Sequence, residues 1–172
     1  MKYAFKLLAL LAVLLLPCAC ILGTASPAHA EGWLSEFVNS LKHDAHRGDV
    51  EAQLTLGVMF YEGQGVPQDY AEARQWLEMA AGQNNAQAQF CLGEIYDEGK
   101  GVGKDAGKAV TYYRNAAFNG SADAMFRLGD IFAEGRGVDQ DKARASEWYG
   151  RACRAGHRIG CERYRKLTEA SF

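Results

Sequence analysis

The stretch Glu62-Gly63-Gln64-Gly65-Val66-Pro67-Gln68-Asp69 returns as Glu98-Gly99-Lys100-Gly101-Val102-Gly103-Lys104-Asp105, and again as Glu134-Gly135-Arg136-Gly137-Val138-Asp139-Gln140-Asp141. Both offsets are 36 residues. A fixed period of this size marks a stacked repeat in which each unit buries its apolar face against the next. The octet reads as a turn between two helices. Gly63, Gly99 and Gly135 follow helical spacing and suit the left-handed position after a helix end. Val66, Val102 and Val138 plug the gap between the two helices. Asp69, Asp105 and Asp141 are placed to cap the next helix, and Asp69 with Glu72 has capping-box spacing.

Outward from the octet, the first helix of each unit begins at Ala52, Ala88 or Ala124. It runs through Leu56-Gly57, Leu92-Gly93 and Leu128-Gly129 to Phe60, Tyr96 and Phe132. Glycine inside a helix costs roughly 1 kcal/mol against alanine. Its return at one position predicts that a partner helix approaches closely there. The second helix carries Ala73, Ala109 and Ala145, then Trp76, Tyr112 and Trp148, then Ala80, Ala116 and Ala152. Small and large residues at this spacing make an interlocking face. Gly120 and Gly156 end two of these helices, with Asn84 in that place in the first unit.

The repeats therefore span 52–87, 88–123 and 124–159. Residues 31–51 form an N-terminal capping helix, with Trp33, Leu34, Phe37, Val38 and Leu41 at helical spacing. Residues 160–172 form a C-terminal cap. The fold class is all-α, an α/α solenoid of antiparallel helix pairs.

Residues 1–30 stand apart. Lys2 and Lys6 precede the apolar run Leu7 to Leu16, and Ala28-His29-Ala30 is a small-x-small cleavage site, so the segment reads as a secretory signal peptide cleaved after Ala30. The residues before Cys18 and Cys20 fit a lipoprotein signal poorly. The apolar run is short for a bilayer span, so no stable membrane insertion is expected after cleavage. The full chain has 19 basic and 21 acidic residues and a charge of −2; loss of Lys2 and Lys6 leaves 17 against 21, or −4. Nothing in that balance points to nucleic acid. Of five cysteines, Cys91, Cys153 and Cys161 remain, and an oxidising compartment permits one pair among them. The expected location is periplasmic or secreted.

Ala-x-x-x-Leu-Gly-x-x-aromatic, then Glu-Gly-x-Gly-Val-x-x-Asp, then Ala-x-x-Trp/Tyr-x-x-x-Ala resembles the Sel-one-like repeat (SLR) family, relatives of the tetratricopeptide repeats. The resemblance implies an α/α superhelix, adaptor or scaffold work in protein assemblies, and often export in bacteria. Cys153 takes the place of Ala81 and Ala117, and Cys161 follows it closely. This is similar to the cysteine-rich Hcp type, in which such a pair bridges one helix to the next. The likeness implies a Cys153–Cys161 disulfide worth roughly 2.5 kcal/mol in the chain-entropy model. It is partial, because only the last repeat carries the pair. Cys91, aligned with Thr55 and Arg127, reads as a buried free thiol.

The Hcp likeness also raises an alternative, a weak β-lactamase or cell-wall peptide hydrolase. A serine enzyme of that kind needs Ser-x-x-Lys. Ser35, Ser40, Ser121, Ser146 and Ser171 have no lysine three residues on, and Lys-Thr-Gly is absent. His43 and His46 share one helix side but lack an evident third ligand for a metal. The expected function is therefore non-catalytic, without cofactor or metal.

By analogy with tetratricopeptide repeats, a partner would lie on the concave face. There the period places Leu54, Val58, Tyr61 and Glu62, then Phe90, Glu94, Asp97 and Glu98, then Phe126, Asp130, Ala133 and Glu134. Aromatic anchors among carboxylates suit a protein or peptide with apolar and basic side chains. The competing reading makes Phe90 and Phe126 core residues and the acids a solvated surface.

Overall fold

The computed structural model describes residues 27–169. These form eight helices and no strand: α1 (Pro27–His46), α2 (Val50–Glu62), α3 (Tyr70–Gly82), α4 (Ala86–Glu98), α5 (Ala106–Phe118), α6 (Ala122–Glu134), α7 (Lys142–Arg154) and α8 (Arg158–Glu169). The chain divides between Leu41 and Lys42 into two compact units. In the first, Ser35 Oγ donates to the Gly32 carbonyl at 2.8 Å and Val38 is buried. The apolar run at Leu7–Leu16, Cys18 and Cys20 lie outside the described residues. Helix α1 starts at Pro27 rather than at Glu31, and proline suits a first helical position because its missing N–H would be unbonded there.

In the second unit, each helix from α2 to α8 packs on its neighbours in sequence, and α2 also reaches α4. This nearest-neighbour pattern defines a solenoid. The first helices begin at Val50, Ala86 and Ala122, two residues before the expected alanines. The reason is a cap the sequence reading passed over. Asp49, Asn85 and Ser121 accept from the N–H of Ala52, Ala88 and Ala124 at 3.0, 2.9 and 3.2 Å. His157 stands at the same periodic position, and its Nδ1 accepts from Gly160 N–H at 3.0 Å. The last helix thus starts at Arg158, ahead of Gly160. That glycine sits inside the helix because a Cβ there would lie 2.9 Å from the Ala152 Cβ.

The octet performs as its residues require. Gly63, Gly99 and Gly135 have φ of 72, 73 and 71°, and their N–H groups return to Met59, Ile95 and Ile131. The Asp69, Asp105 and Asp141 carboxylates cap α3, α5 and α7. Their own N–H groups donate to the carbonyls of Phe60, Tyr96 and Phe132 at 2.9, 2.9 and 2.8 Å. With the Asp69 N–H so occupied, the expected capping box closes on one side only. The Glu72 carboxylate instead accepts from Trp76 Nε1 at 3.1 Å. Val102 and Val138 pack on the buried core, and Asn84 takes a left-handed φ of 63° in the glycine position.

The recurring helix glycines mark close contacts between paired helices. A Cβ on Gly93 would lie 2.5 Å from the Tyr113 ring, one on Gly129 2.5 Å from Tyr149, and one on Gly57 2.6 Å from Leu77. Real carbons do not approach so closely, so a side chain would force each helix pair apart. Two further devices hold successive pairs together. The buried Gln53 and Gln89 side chains donate to the carbonyls of Ala45 and Ala81 at 2.9 and 3.1 Å, and accept from Gln83 and Asn119 at 2.8 Å. In the last joint a disulfide joins Cys153 to Cys161, with Cα atoms 4.5 Å apart.

Candidate functional site

The first-helix positions expected to line a partner face are partly exposed, and most are tied into the solenoid. Leu54 and Tyr61 pack on the cluster around Leu77, Leu92 and Ile95. Phe90 joins that cluster and the next, its ring 5.8 Å from Tyr113. Phe126 lies 5.7 Å from Tyr149 and stacks on His157 at 4.4 Å. Val58 and Ala133 are half-buried, while Glu62, Glu98 and Glu134 are exposed.

The carboxylates separate into two groups. Glu94 and Asp97 are 18 and 15 % exposed and are met by cations from the following repeat. Arg127 Nη2 donates to Glu94 Oε1 at 2.9 Å. Arg136 Nη1 donates to both Asp97 oxygens at 3.1 and 2.9 Å. Asp130 accepts from Tyr149 O–H at 2.6 Å; burial first, then this bond, raises the Tyr149 hydroxyl above its usual range. Glu98 and Glu134, by contrast, are 48 and 60 % exposed. Glu98 pairs with Lys100 at 2.8 Å. Glu134 lies 2.8 Å from Arg136 Nε, but the angle misses a hydrogen bond and the contact is electrostatic.

Lys100 and Arg136 share an origin that sequence reasoning missed. Each is the middle residue of a Gly-x-Gly turn, and each reaches back 39 residues to the first helix of the preceding repeat. Lys100 donates to Tyr61 O–H at 2.6 Å with its ammonium 4.6 Å from the ring centre. Its hydrogen bonds to Glu98 and then Tyr61 hold its ammonium above the ordinary lysine range. Burial raises the Tyr61 hydroxyl, and Lys100 partly offsets that. A signal was present: as the turn residue changes from Lys100 to Arg136, the facing residue changes from Tyr61 to Asp97.

Other candidate groups are quickly placed. Cys91, the free cysteine among the described residues, is buried, and burial pushes its thiol up to about 11, away from the depressed values of reactive thiolates. His46 packs edge-on against Trp76 at 4.9 Å. Among the described residues no group of three His, Cys, Asp or Glu side chains is arranged for a metal, and no helix is long and apolar enough to cross a membrane.

Paired helices, glycine turns and side chains linking each repeat to the next define an α/α repeat protein. The Sel1 repeat family model matches residues 50–85, 86–121 and 122–157, and the chain belongs to that family. A Sel1 repeat protein from Oxalobacter formigenes is 37% identical with a TM-score of 0.67, over 74% of this chain and 96% of that one. A protective antigen of uropathogenic Escherichia coli strains, with an SLR fold, is 38% identical with a TM-score of 0.72; the match covers 74% of this chain and 27% of that one. Helicobacter pylori cysteine-rich protein B shares the fold at 24% identity and a TM-score of 0.61, over 81% and 98% of the two chains. A search of curated proteins returned no match.

Proposed function

We propose that this chain is an exported, non-catalytic scaffold that holds a protein or peptide partner on its first-helix face. The site comprises Leu54, Val58, Tyr61 and Glu62 with their counterparts Phe90, Glu94, Asp97, Glu98, Phe126, Asp130 and Glu134. The observation that carries this reading is the rung-by-rung repetition of that face. Each first helix ends in an exposed glutamate, Glu62, Glu98 or Glu134, beyond a half-buried apolar side chain, Leu54, Phe90 or Phe126. A surface repeated at one period fits an extended chain that places successive side chains at successive rungs. Because Glu94 and Asp97 are largely covered by Arg127 and Arg136, charge selection falls to Glu62 and to Glu98 and Glu134, whose pairs with Lys100 and Arg136 lie at the solvent-exposed surface, and these favour a basic and apolar partner.

Export is supported by the signal-like segment 1–30 together with the disulfide, which persists in oxidising compartments. Residues 31–51, 52–159 and 160–172 then make up the mature scaffold and its caps. The test has two parts. N-terminal sequencing of the exported protein should begin at Glu31; a product that keeps Met1 contradicts the export reading. Immobilised mature protein should retain a discrete partner from the periplasmic or extracellular fraction, and that retention should fall when Glu62, Glu98 and Glu134 are replaced by lysine. Equal retention by both proteins contradicts the assigned face.

A further inference from the structure

A second surface is lined by residues of α5, α6 and α7 other than those assigned to the first-helix face. Phe118, the last residue of α5, is 92% exposed, the highest value among the exposed large hydrophobics of the described residues. A single exposed aromatic is ordinary. Phe118 is set apart by its surroundings. It borders a hollow of about 330 Å³ with Ala117, Met125, Trp148, Arg114 and Arg151. The floor is apolar and the rim carries two guanidinium groups.

The rim has cationic capacity to spare. Arg151 lies over the Trp148 ring at 4.7 Å and pairs with Glu147 at 2.6 Å. Arg114 has no carboxylate within ion-pairing distance among the described residues. It also borders the adjoining hollow of about 470 Å³, where Asp141 is already paired with Arg144 at 3.2 Å. The neighbouring helices strengthen the bias. α7 has four Lys/Arg against one Glu, and α8 four against two, in a chain of net charge −2. The two charged residues that line the hollow itself, Arg114 and Arg151, are both basic.

We propose that the Phe118–Trp148 hollow is a docking site for an acidic peptide segment of a partner protein, which seats one large apolar side chain on Phe118, Met125 and Trp148 and presents carboxylates to Arg114 and Arg151. A half-open apolar hollow whose charged lining residues are two arginines matches one anchor side chain flanked by acids. The site is opposite in charge preference to the glutamate-edged first-helix face, so the scaffold can hold two chemically different chains at once.

The probe is a fluorescein-labelled synthetic peptide with one tryptophan among glutamates, compared with its lysine-for-glutamate counterpart by fluorescence anisotropy on the mature, disulfide-bonded protein. The acidic peptide should bind at least about tenfold more tightly, and added salt should weaken it. Phe118→Ala and Arg114→Glu should each weaken it by about tenfold or more. Both side chains are exposed, so circular dichroism and melting should stay unchanged. The Glu62→Lys, Glu98→Lys, Glu134→Lys protein should bind this probe undiminished, which separates failure here from failure of the first-helix site. Equal affinity for both peptides, or a Phe118→Ala protein that binds as the wild type does, overturns the proposal. So does self-association abolished by Phe118→Ala, which would make the occupant a second copy. Preferential binding to phosphatidylglycerol vesicles would overturn it in favour of a lipid surface.

Discussion

Cys161 is bonded to Cys153 across the same interhelical turn at which, two repeats earlier, the Gln89 amide donates to the Ala81 carbonyl. Gln53 and Ala45 repeat the relation at the first joint. One mechanical task is met by a hydrogen bond twice and by a covalent bond at the end of the array. Met125 occupies the remaining position in the series. Among the described residues α8 packs chiefly on α7, and the disulfide adds a covalent constraint to that joint.

Removal of the disulfide should therefore loosen α8 first. Cys153→Ala with Cys161→Ser should lower stability by about 2.5 kcal/mol in urea unfolding. Cys153→Ala with Cys161→Gln restores the amide seen at Gln89 and should recover part of that loss. A double mutant as stable as the oxidised wild type would show that the joint does not depend on this bond.

Gln89 is 4% exposed and is bonded at both ends of its amide. Gln89→Ala removes two hydrogen bonds, one of those at the Ala81 carbonyl, which keeps its bond from Asn84 N–H, and the one from the Asn119 amide, and should cost about 1–3 kcal/mol. Gln89→Met copies position 125 and should cost less. Thermal unfolding distinguishes them, and equal melting temperatures for all three proteins would contradict the clasp.

Two glycines test the packing. Gly93→Ala places a carbon 2.5 Å from Tyr113 and should destabilise by about 1–3 kcal/mol. Gly82 ends α3 with nothing within 4 Å of its missing Cβ. Gly82→Ala should be neutral or stabilising by about 0.5–1 kcal/mol. A reversed order of melting temperatures would place the α4–α5 contact elsewhere.

The fold should be labile to alkali. Cys91 is pushed up to about 11 by burial, and Tyr61, Tyr112, Tyr113 and Tyr149 are all raised, again chiefly by burial. For each group the folded value lies above the unfolded one, so the unfolded chain loses protons first. Stability is full below the unfolded values and falls as pH rises through the folded ones. For Cys91 the loss begins near its ordinary value of 9.0 and continues to about 11. Melting followed from pH 8 upward should show a decline that is shallower in Cys91→Ala; identical slopes would contradict burial of the thiol in its neutral form.

Much of the scaffold was legible because its signals are local and periodic. Gly63, Gly99 and Gly135 mark left-handed helix ends whatever surrounds them, and Asp69, Asp105 and Asp141 cap the helix they precede. The same reading missed the caps of α2, α4 and α6, since Asp49, Asn85 and Ser121 are chemically different residues that share only a hydrogen-bonding atom. His157 extends that series with a ring nitrogen. The Lys100–Tyr61 and Arg136–Asp97 links were hidden for another reason: each joins residues 39 apart, across the period rather than within it. For the candidate face this matters most. Composition alone presented Glu94, Asp97 and Asp130 as open charge, whereas Arg127, Arg136 and Tyr149 occupy them.

The carboxylates suited to test the first-helix face are consequently Glu62, Glu98 and Glu134. Reversal of Glu94 or Asp130 would instead set a cation against Arg127 or leave the Tyr149 hydroxyl without its acceptor. The most direct measurement is the affinity of the captured basic partner for mature wild type and for the Glu62→Lys, Glu98→Lys, Glu134→Lys protein, at low and high salt, with circular dichroism on both. The account predicts two folded proteins, a slower association and an affinity reduced by about tenfold or more in the variant, and a flattened salt dependence. A folded variant whose affinity and salt dependence match the wild type would contradict it.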